Sequence, residues 1–172
     1  MNKRDIWSRI LVIAGYIAML VGAIDPMEGS LLILPGSGLV VLGISMGNVG
    51  NNKFSYRLWV FALIAVGVGA LWGLSAVGGF GGQSEFSVWW GLLILPYLFG
   101  WSMGIWGPGS PRWVLLIGSL VSLWYLAILA MALQDLATHG WASSLAAVVL
   151  GVTGAITIGG CIYRLKHPGL QS

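Results

Sequence analysis

Six long apolar runs, separated by short polar segments, dominate the pattern of the chain. Each run holds about 20 residues, which at about 1.5 Å per residue is enough for an α-helix to cross a hydrocarbon core of roughly 30 Å. The pattern therefore predicts an all-α integral membrane bundle of six short transmembrane helices, forming a single domain over residues 1–172. The predicted spans cover residues 7–24, 29–47, 58–77, 87–107, 113–134 and 142–163.

Short connections pair these spans into three hairpins, at 7–47, 58–107 and 113–163. Two motifs recur in the first two hairpins: Leu-Leu-Ile-Leu-Pro at 31–35 and 92–96, and Ser-Met-Gly at 45–47 and 102–104. The two hairpins are either duplicated units of the same orientation, related by an axis along the membrane normal, or chance matches in an apolar background.

Charge is scarce and unevenly distributed. Only 8% of the residues are charged, whereas soluble domains average about 25%, so lipid is the solvent expected around the outer surface. The basic residues form four clusters that alternate with the spans, which predicts both termini on the cytoplasmic side and an even number of spans. This distribution argues against a nucleic-acid partner, which the net charge of +3 alone could suggest. The basic residues are Lys3, Arg4, Arg9, Lys53, Arg57, Arg112, Arg164 and Lys166, and the acidic residues between their clusters are Asp25, Glu28, Glu85 and Asp135.

Three features bear on the compartment. The basic start and first apolar run resemble a secretory signal, but we expect this segment to be a retained helix. The single cysteine, Cys161, excludes an internal disulfide framework and is interpreted as a small buried hydrophobic residue. The sequence at 24–38, from Ile-Asp-Pro to Gly-Ser-Gly, and the sequence Trp-Trp-Gly-Leu-Leu-Ile-Leu-Pro-Tyr at 89–97 resemble small bacterial multi-span inner-membrane proteins of uncharacterised function. That resemblance implies a bacterial inner membrane and carries no activity with it.

Small residues four apart share one face of a helix and let two helix backbones approach closely. Such faces suit a compact bundle, and they equally suit docking of a neighbouring subunit; both uses stay open at this point. The candidate helix-packing residues are Gly43, Gly47, Gly69, Gly73, Gly100, Gly104, Gly151, Ala155 and Gly159.

Pro35 and Pro96 lie inside the second and fourth predicted spans, where each removes a backbone hydrogen bond and favours a kink. Paired kinks either mark a solute path through broken helices or shape the helices for packing. Packing is the interpretation we favour.

Catalytic chemistry finds little support in the sequence. His139 and His167 fall outside the predicted spans, which excludes haem held by two histidines inside the membrane. Asp135 and His139 are four apart and suggest a metal site, but solvated loop charges explain them better, so we predict no metal. Ser37 lies between two glycines, yet no span holds a histidine that would act as its base, which excludes a serine protease. We therefore predict no catalytic residues and no enzyme activity.

Five aromatic residues lie deep in the predicted spans. Their rings offer large rigid surfaces for a lipid, quinone or pigment, although ordinary core packing explains such residues more simply. No intrinsic cofactor is predicted, and a bound lipid, quinone or pigment is left open. The five are Trp72, Tyr97, Trp101, Trp124 and Tyr125.

No Asp, Glu, Lys or Arg falls in the interior of a predicted span, whereas ion-coupled transporters usually keep a charged residue there. The sequence therefore predicts a non-enzymatic accessory subunit packed into a larger membrane complex, with energy-transducing and photosynthetic complexes as possible settings. The alternative is a small transporter or channel for an uncharged or lipid-like solute. The expected partners are membrane lipids and other membrane subunits.

Overall fold

A computed structural model describes residues 2–25, 28–47, 50–78, 88–139 and 141–167, including all of their side chains except those of 88, 134–139 and 141–146. The described residues form six α-helices and no strand, which confirms the prediction of an all-helical chain. The helices are α1 (Lys3–Gly22), α2 (Ser30–Met46), α3 (Asn51–Ala76), α4 (Leu95–Trp106), α5 (Arg112–His139) and α6 (Trp141–Lys166), and a 3₁₀ helix, Val88–Ile94, precedes α4.

Four segments are long and apolar enough to cross a membrane: Lys3–Gly22, Asn51–Ala76, Arg112–Leu133 and Ala147–Lys166. Helix α2 is apolar but has 17 residues, and α4 has only 12. Large apolar side chains such as Val66 and Leu120 point outward, away from the bundle core. These helices are compatible with a membrane protein, because their outer surface has no polar layer to hold water.

The fourth predicted span differs most from the structure. Its first half, Val88–Ile94, is a 3₁₀ helix, and the α-helix begins only at Leu95. Pro96 therefore lies in the first turn of α4, where a missing N–H removes no helical hydrogen bond. Pro35, by contrast, lies inside α2.

Close backbone contact joins α1 to α2 in antiparallel orientation. A Cβ atom added at Gly15 would lie 2.5 Å from the carbonyl oxygen of Gly36, and Ser8 Oγ donates a hydrogen bond to the carbonyl of Gly43 at 2.6 Å. The small residues that make this contact recur every seven positions, which keeps them on one face as the helices cross. They are Ser8, Gly15 and Gly22 from α1, and Gly29, Gly36 and Gly43 from the end of the connection and α2.

The second hairpin, α3 with α4, repeats this arrangement. Gly67 of α3 lies directly against the backbone of Tyr97, as Gly15 of α1 lies against Gly36. In each hairpin the partner is the residue that follows the proline of the Leu-Leu-Ile-Leu-Pro motif. The recurring motif therefore occupies the same packing position in both hairpins.

The equivalence extends along both helices of the hairpin. Gly43 and Gly104 each lie seven residues beyond the contact just described; Gly43 faces α1 of its own hairpin, whereas a Cβ at Gly104 would meet Met19 of α1 at 2.8 Å and Val60 of α3 at 3.3 Å. The same alignment places Trp7 on Trp59, and both rings are exposed near the start of their helices. The Ser-Met-Gly motif does not follow this alignment, because its two copies are shifted by four residues relative to it, so duplication of one hairpin stays a prediction.

Helix α4 is the central helix of the bundle. Trp101 is buried and its indole N–H donates to the carbonyl of Met19 in α1 at 3.4 Å. Ser102 accepts a hydrogen bond from Thr157 of α6 at 2.8 Å. Contacts with all three hairpins thus converge on the shortest of the α-helices.

Consecutive helices alternate in direction, so α4 and α6, which pack against each other, are parallel. The start of α1 faces the end of α2 through Ser8 and Gly43, and Trp106 at the end of α4 lies against Gly160 in the last two turns of α6. We call the end of the bundle that holds Lys3, Trp106 and Lys166 the basic end.

Candidate functional site

The deep aromatic residues divide into two groups. Tyr97, Trp101 and Tyr125 are buried in the core, whereas Trp72 is 43% exposed and Trp124 is 52% exposed. The structure therefore does not bring the five rings together into one site.

Two of the buried rings are tied to the end of α1. The Tyr125 hydroxyl donates to the carbonyl of Ala23 at 2.6 Å, and Trp101 donates to Met19 as described above. The two ring centroids lie 5.7 Å apart. Since these polar atoms bond within the chain, both rings behave as core residues that fix α1 against α4 and α5.

The outward pair has a different environment. Trp72 Nε1 donates to the Ser30 hydroxyl at 3.0 Å, which holds the ring against the start of α2. Trp124 faces outward from α5. Contact of these two rings with a lipid, quinone or pigment stays a prediction.

Arg57 is a buried arginine that the sequence did not predict. Arg57, expected at the edge of a span, is only 2% exposed, because α3 begins at Asn51 rather than at 58. It lies on the same helix face as the buried residues Val60 and Ile64. A full positive charge is thus held inside the bundle, where it needs specific partners.

Neutral oxygen atoms supply those partners. Arg57 Nη1 donates to the carbonyl of Gly104 at 2.6 Å, and Nη2 donates to the carbonyl of Pro108 at 2.7 Å and to Ser110 Oγ at 2.8 Å. The last carbonyls of a helix have no partner within that helix. Arg57 of α3 therefore caps the buried end of α4, opposite the turn in which Gly109 adopts a φ of +78°.

Two tyrosine rings complete the surroundings of this guanidinium. Its central carbon lies 5.5 Å from the ring centroid of Tyr16 and 5.7 Å from that of Tyr56, within the range of cation–π attraction. The Tyr16 hydroxyl is 3.1 Å from Ser110 Oγ, and Tyr56 donates to the carbonyl of Met103 at 3.0 Å. The cluster joins α1, α3 and the α4–α5 connection.

The glycine faces also divide. Gly43, Gly100, Gly104 and Gly151 pack against other helices, whereas a Cβ added at Gly69, Gly73 or Gly159 would meet nothing within 4 Å. Gly47 is half-buried at the end of α2, and Ala155 is exposed. One group of small residues thus builds the bundle, while the other forms open faces on α3 and α6.

The suggested metal site falls outside the described side chains, since those of Glu85, Asp135 and His139 are not among them. Among the described residues no three histidine, cysteine, aspartate or glutamate side chains come together to hold a metal ion. Cys161 is buried as a free thiol.

The chain matches no protein-family model, no curated protein and no solved structure.

Proposed function

We propose that the chain is a six-span protein of the bacterial inner membrane, with both termini cytoplasmic, that serves without enzyme activity as an accessory subunit of a larger membrane complex. The observation that carries the proposal is the open glycine face on α3. Membrane helices associate where small residues let their backbones approach.

Two glycines four apart, Gly69 and Gly73, form this face, and none of the described residues approaches within 4 Å of either Cβ position. Val66, one turn earlier, is exposed, and Trp59 at the start of the same side is 70% exposed. The glycines leave a shallow groove between larger side chains, which another transmembrane helix fills better than mobile lipid tails do. Gly67, on the opposite side of α3, packs against the backbone of Tyr97 in α4.

Length considerations support six crossings. Helix α2 has 17 residues and reaches about 26 Å. The seven residues of the 3₁₀ helix and the 12 of α4 reach about 32 Å together. Both segments come close to the hydrocarbon thickness of roughly 30 Å.

The charge distribution supports the orientation. Arg57 bonds to Ser110, two residues before Arg112, and Arg164 lies one turn after Gly160, which packs on Trp106 at the end of α4. These three arginines therefore share the basic end, which the positive-inside rule assigns to the cytoplasm.

A packed interior favours an accessory subunit over a solute path. Val40 of α2 and Trp101 and Ile105 of α4 are buried, although these helices carry the two prolines of the suggested path. With Pro96 in the first turn of α4, only Pro35 remains inside an α-helix.

The proposed topology predicts the labelling of single cysteines in a Cys161→Ser background. Arg112→Cys should react with a membrane-impermeant maleimide only after the membrane is opened, and Glu28→Cys should react in intact spheroplasts. Both native side chains are exposed. Reaction of both cysteines from the same side would contradict the alternating topology.

The open glycine face on α3 is expected to bind a partner helix, so the double variant Gly69→Leu with Gly73→Leu should lose its partners. Because no described part of the chain occupies that space, the variant should keep the thermal stability of the wild type. In mild detergent it should lose at least tenfold in co-purifying membrane chains, measured by quantitative mass spectrometry. Val152→Leu on the exposed side of α6 is the control. A wild-type protein that purifies free of other chains would refute the accessory role.

A further inference from the structure

The α1–α2 connection does not reach the end of the bundle that lies opposite the basic end, which we call the outer end. The apolar segment of α5, Arg112–Leu133, is about 32 Å long and marks the depth of the bundle. The Tyr125 hydroxyl donates to the carbonyl of Ala23 at 2.6 Å, and Tyr125 lies eight residues, about 12 Å, before Leu133. Side chains of a helix lean toward its N-terminus, here the basic end, so Ala23 lies at the level of Tyr125 or deeper.

Two further contacts show the same offset. The Ser30 hydroxyl at the start of α2 accepts its hydrogen bond from Trp72, one turn before α3 ends. Toward the basic end, Tyr16 lies 13 residues after the start of α1, yet its hydroxyl is 3.1 Å from Ser110 Oγ and its ring packs edge-on against Trp113 in the first turn of α5. The α1–α2 hairpin is therefore displaced toward the basic end, and α3 and α5 project beyond its connection.

This connection is polar and exposed. Its described residues, 23–25 and 28–29, form turns and not a helix. Ile24 is 64% exposed, and Asp25 and Glu28 are exposed as well. Non-helical backbone occurs at membrane depth only where it is buried in protein or lines a water-filled cavity, and charged side chains there face water or protein. Since these residues are exposed, water has to reach them.

The packed core closes the bundle below the connection, and negative charge prevails above it. Ala23 and Trp101 are buried, so water at the connection goes no further. The Asp25 carboxylate lies beside Glu28, whose backbone N–H it accepts at 3.4 Å. No lysine or arginine occurs in residues 10–52, 58–111 or 113–163, the stretches that hold the outer ends of all six helices.

We propose that a water-filled recess opens at the outer side of the bundle and ends on the α1–α2 connection, where Asp25 and Glu28 favour cations over anions. Helices α3 and α5 form two of its walls. The recess admits water and small cations to about 12 Å below the outer end of the apolar segment of α5, and it opens no path across the bundle. It rests on the membrane topology proposed above and is independent of the accessory role.

Nitroxide labels on single cysteines test the recess in the full-length protein, reconstituted in liposomes in a Cys161→Ser background. Ile24→Cys reports on the connection. Leu123→Cys is the matched control, because Leu123 is 52% exposed and lies two residues before Tyr125, at the same depth but on the opposite face of α5. Relative to oxygen, a water-soluble nickel complex should collide with the label at 24 roughly fivefold more often than with the label at 123.

The two ways of failing are distinct. If both labels are shielded from the nickel complex, the recess is overturned while the membrane topology stands. If both are equally open to it, the recess and the topology fail together, because α5 then does not lie in lipid at this level.

Reaction rates at Ile24→Cys test the charge of the recess. A cationic methanethiosulfonate should react faster than an anionic one, when each rate is divided by the rate of the same reagent with a free thiol. Adding Asp25→Asn with Glu28→Gln should lower this ratio roughly tenfold at low salt and leave the nickel accessibility unchanged. An unchanged ratio would overturn the preference for cations.

Discussion

Replacing Arg57 by methionine is expected to destabilise the bundle by roughly 3 kcal/mol, although the substitution removes a buried charge. Methionine fills much of the same volume but donates no hydrogen bond. The carbonyl of Pro108 would lose the Arg57 donor, and the carbonyl of Gly104 would keep only the longer bond from Ser110 Oγ at 3.3 Å. Each such orphaned acceptor costs about 1–3 kcal/mol, which outweighs the relief from burying one charge less.

Thermal unfolding in a mild detergent, followed by tryptophan fluorescence, would measure the effect. Arg112→Met is the control, because Arg112 is exposed and lies at the same end of the bundle. Arg57→Lys should also be less stable than the wild type, since an ammonium group cannot span two carbonyls and a hydroxyl with a planar fork. A methionine variant that unfolds at the wild-type temperature would show that Arg57 does not hold the end of α4.

A single methyl group at Gly15 should have an effect of similar size. In Gly15→Ala the new Cβ would lie 2.5 Å from the carbonyl oxygen of Gly36 and 2.9 Å from the backbone nitrogen of Val40. Backbone atoms cannot move aside as a flexible side chain does, so α1 and α2 must separate. We expect a loss of roughly 3 kcal/mol, at the upper end of the usual cost of overpacking.

Gly69→Ala is the matched control for this substitution. Both glycines are in long helices, but a Cβ at Gly69 meets nothing within 4 Å. Alanine favours helix more than glycine by about 1 kcal/mol, so the control should be neutral or slightly stabilising in the isolated chain. Unfolding of the two variants in the same detergent compares them directly. Equal stability of the two variants would contradict the close backbone contact between α1 and α2.

The helices themselves could be predicted from the sequence, because apolar runs of membrane length have few alternatives to helical structure. The predicted span 29–47 differs from α2, Ser30–Met46, by one residue at each end. The division of 87–107 was not predictable from apolarity alone. A 3₁₀ helix and an α-helix need the same residue types, and the difference depends on how the backbone packs around Pro96.

The buried arginine escaped prediction for a related reason. Arg57 follows the spacing of Val60 and Ile64 along the inner face of α3, but an almost wholly apolar helix shows no polar face against which an inner face stands out. The positive-inside rule places arginine near a membrane surface and does not say whether it faces water or protein. Arg57 faces protein because the carbonyls of Gly104 and Pro108 accept its hydrogen bonds.

The α1–α2 contact could not be predicted from small residues spaced four apart. Gly15 and Gly22 recur at seven, as do Gly29 and Gly36, and this period keeps residues on one seam between two helices. Spacings of four identified Gly100 and Gly104, which do pack within the chain, and Gly69 and Gly73, which do not. Sequence spacing thus marks close-approach faces but leaves the choice between the chain's own helices and a partner to the three-dimensional contacts.

The small residues on both sides of the α1–α2 contact come from these two helices and their connection, and this has a consequence for how the protein is made. Since this pair supplies both sides of its own backbone contact, from Ser8–Gly43 to Gly22–Gly29, we expect the insertion machinery to release it as a finished pair while the ribosome is still synthesising the rest. Helix α4 then packs against an α1–α2 pair that has already formed. The hydrogen bond from Arg57 to the carbonyl of Pro108, just after the last turn of α4, forms only once Pro108 has been synthesised. Biogenesis would accordingly proceed from the amino terminus in discrete steps, each ending with the completion of a pair.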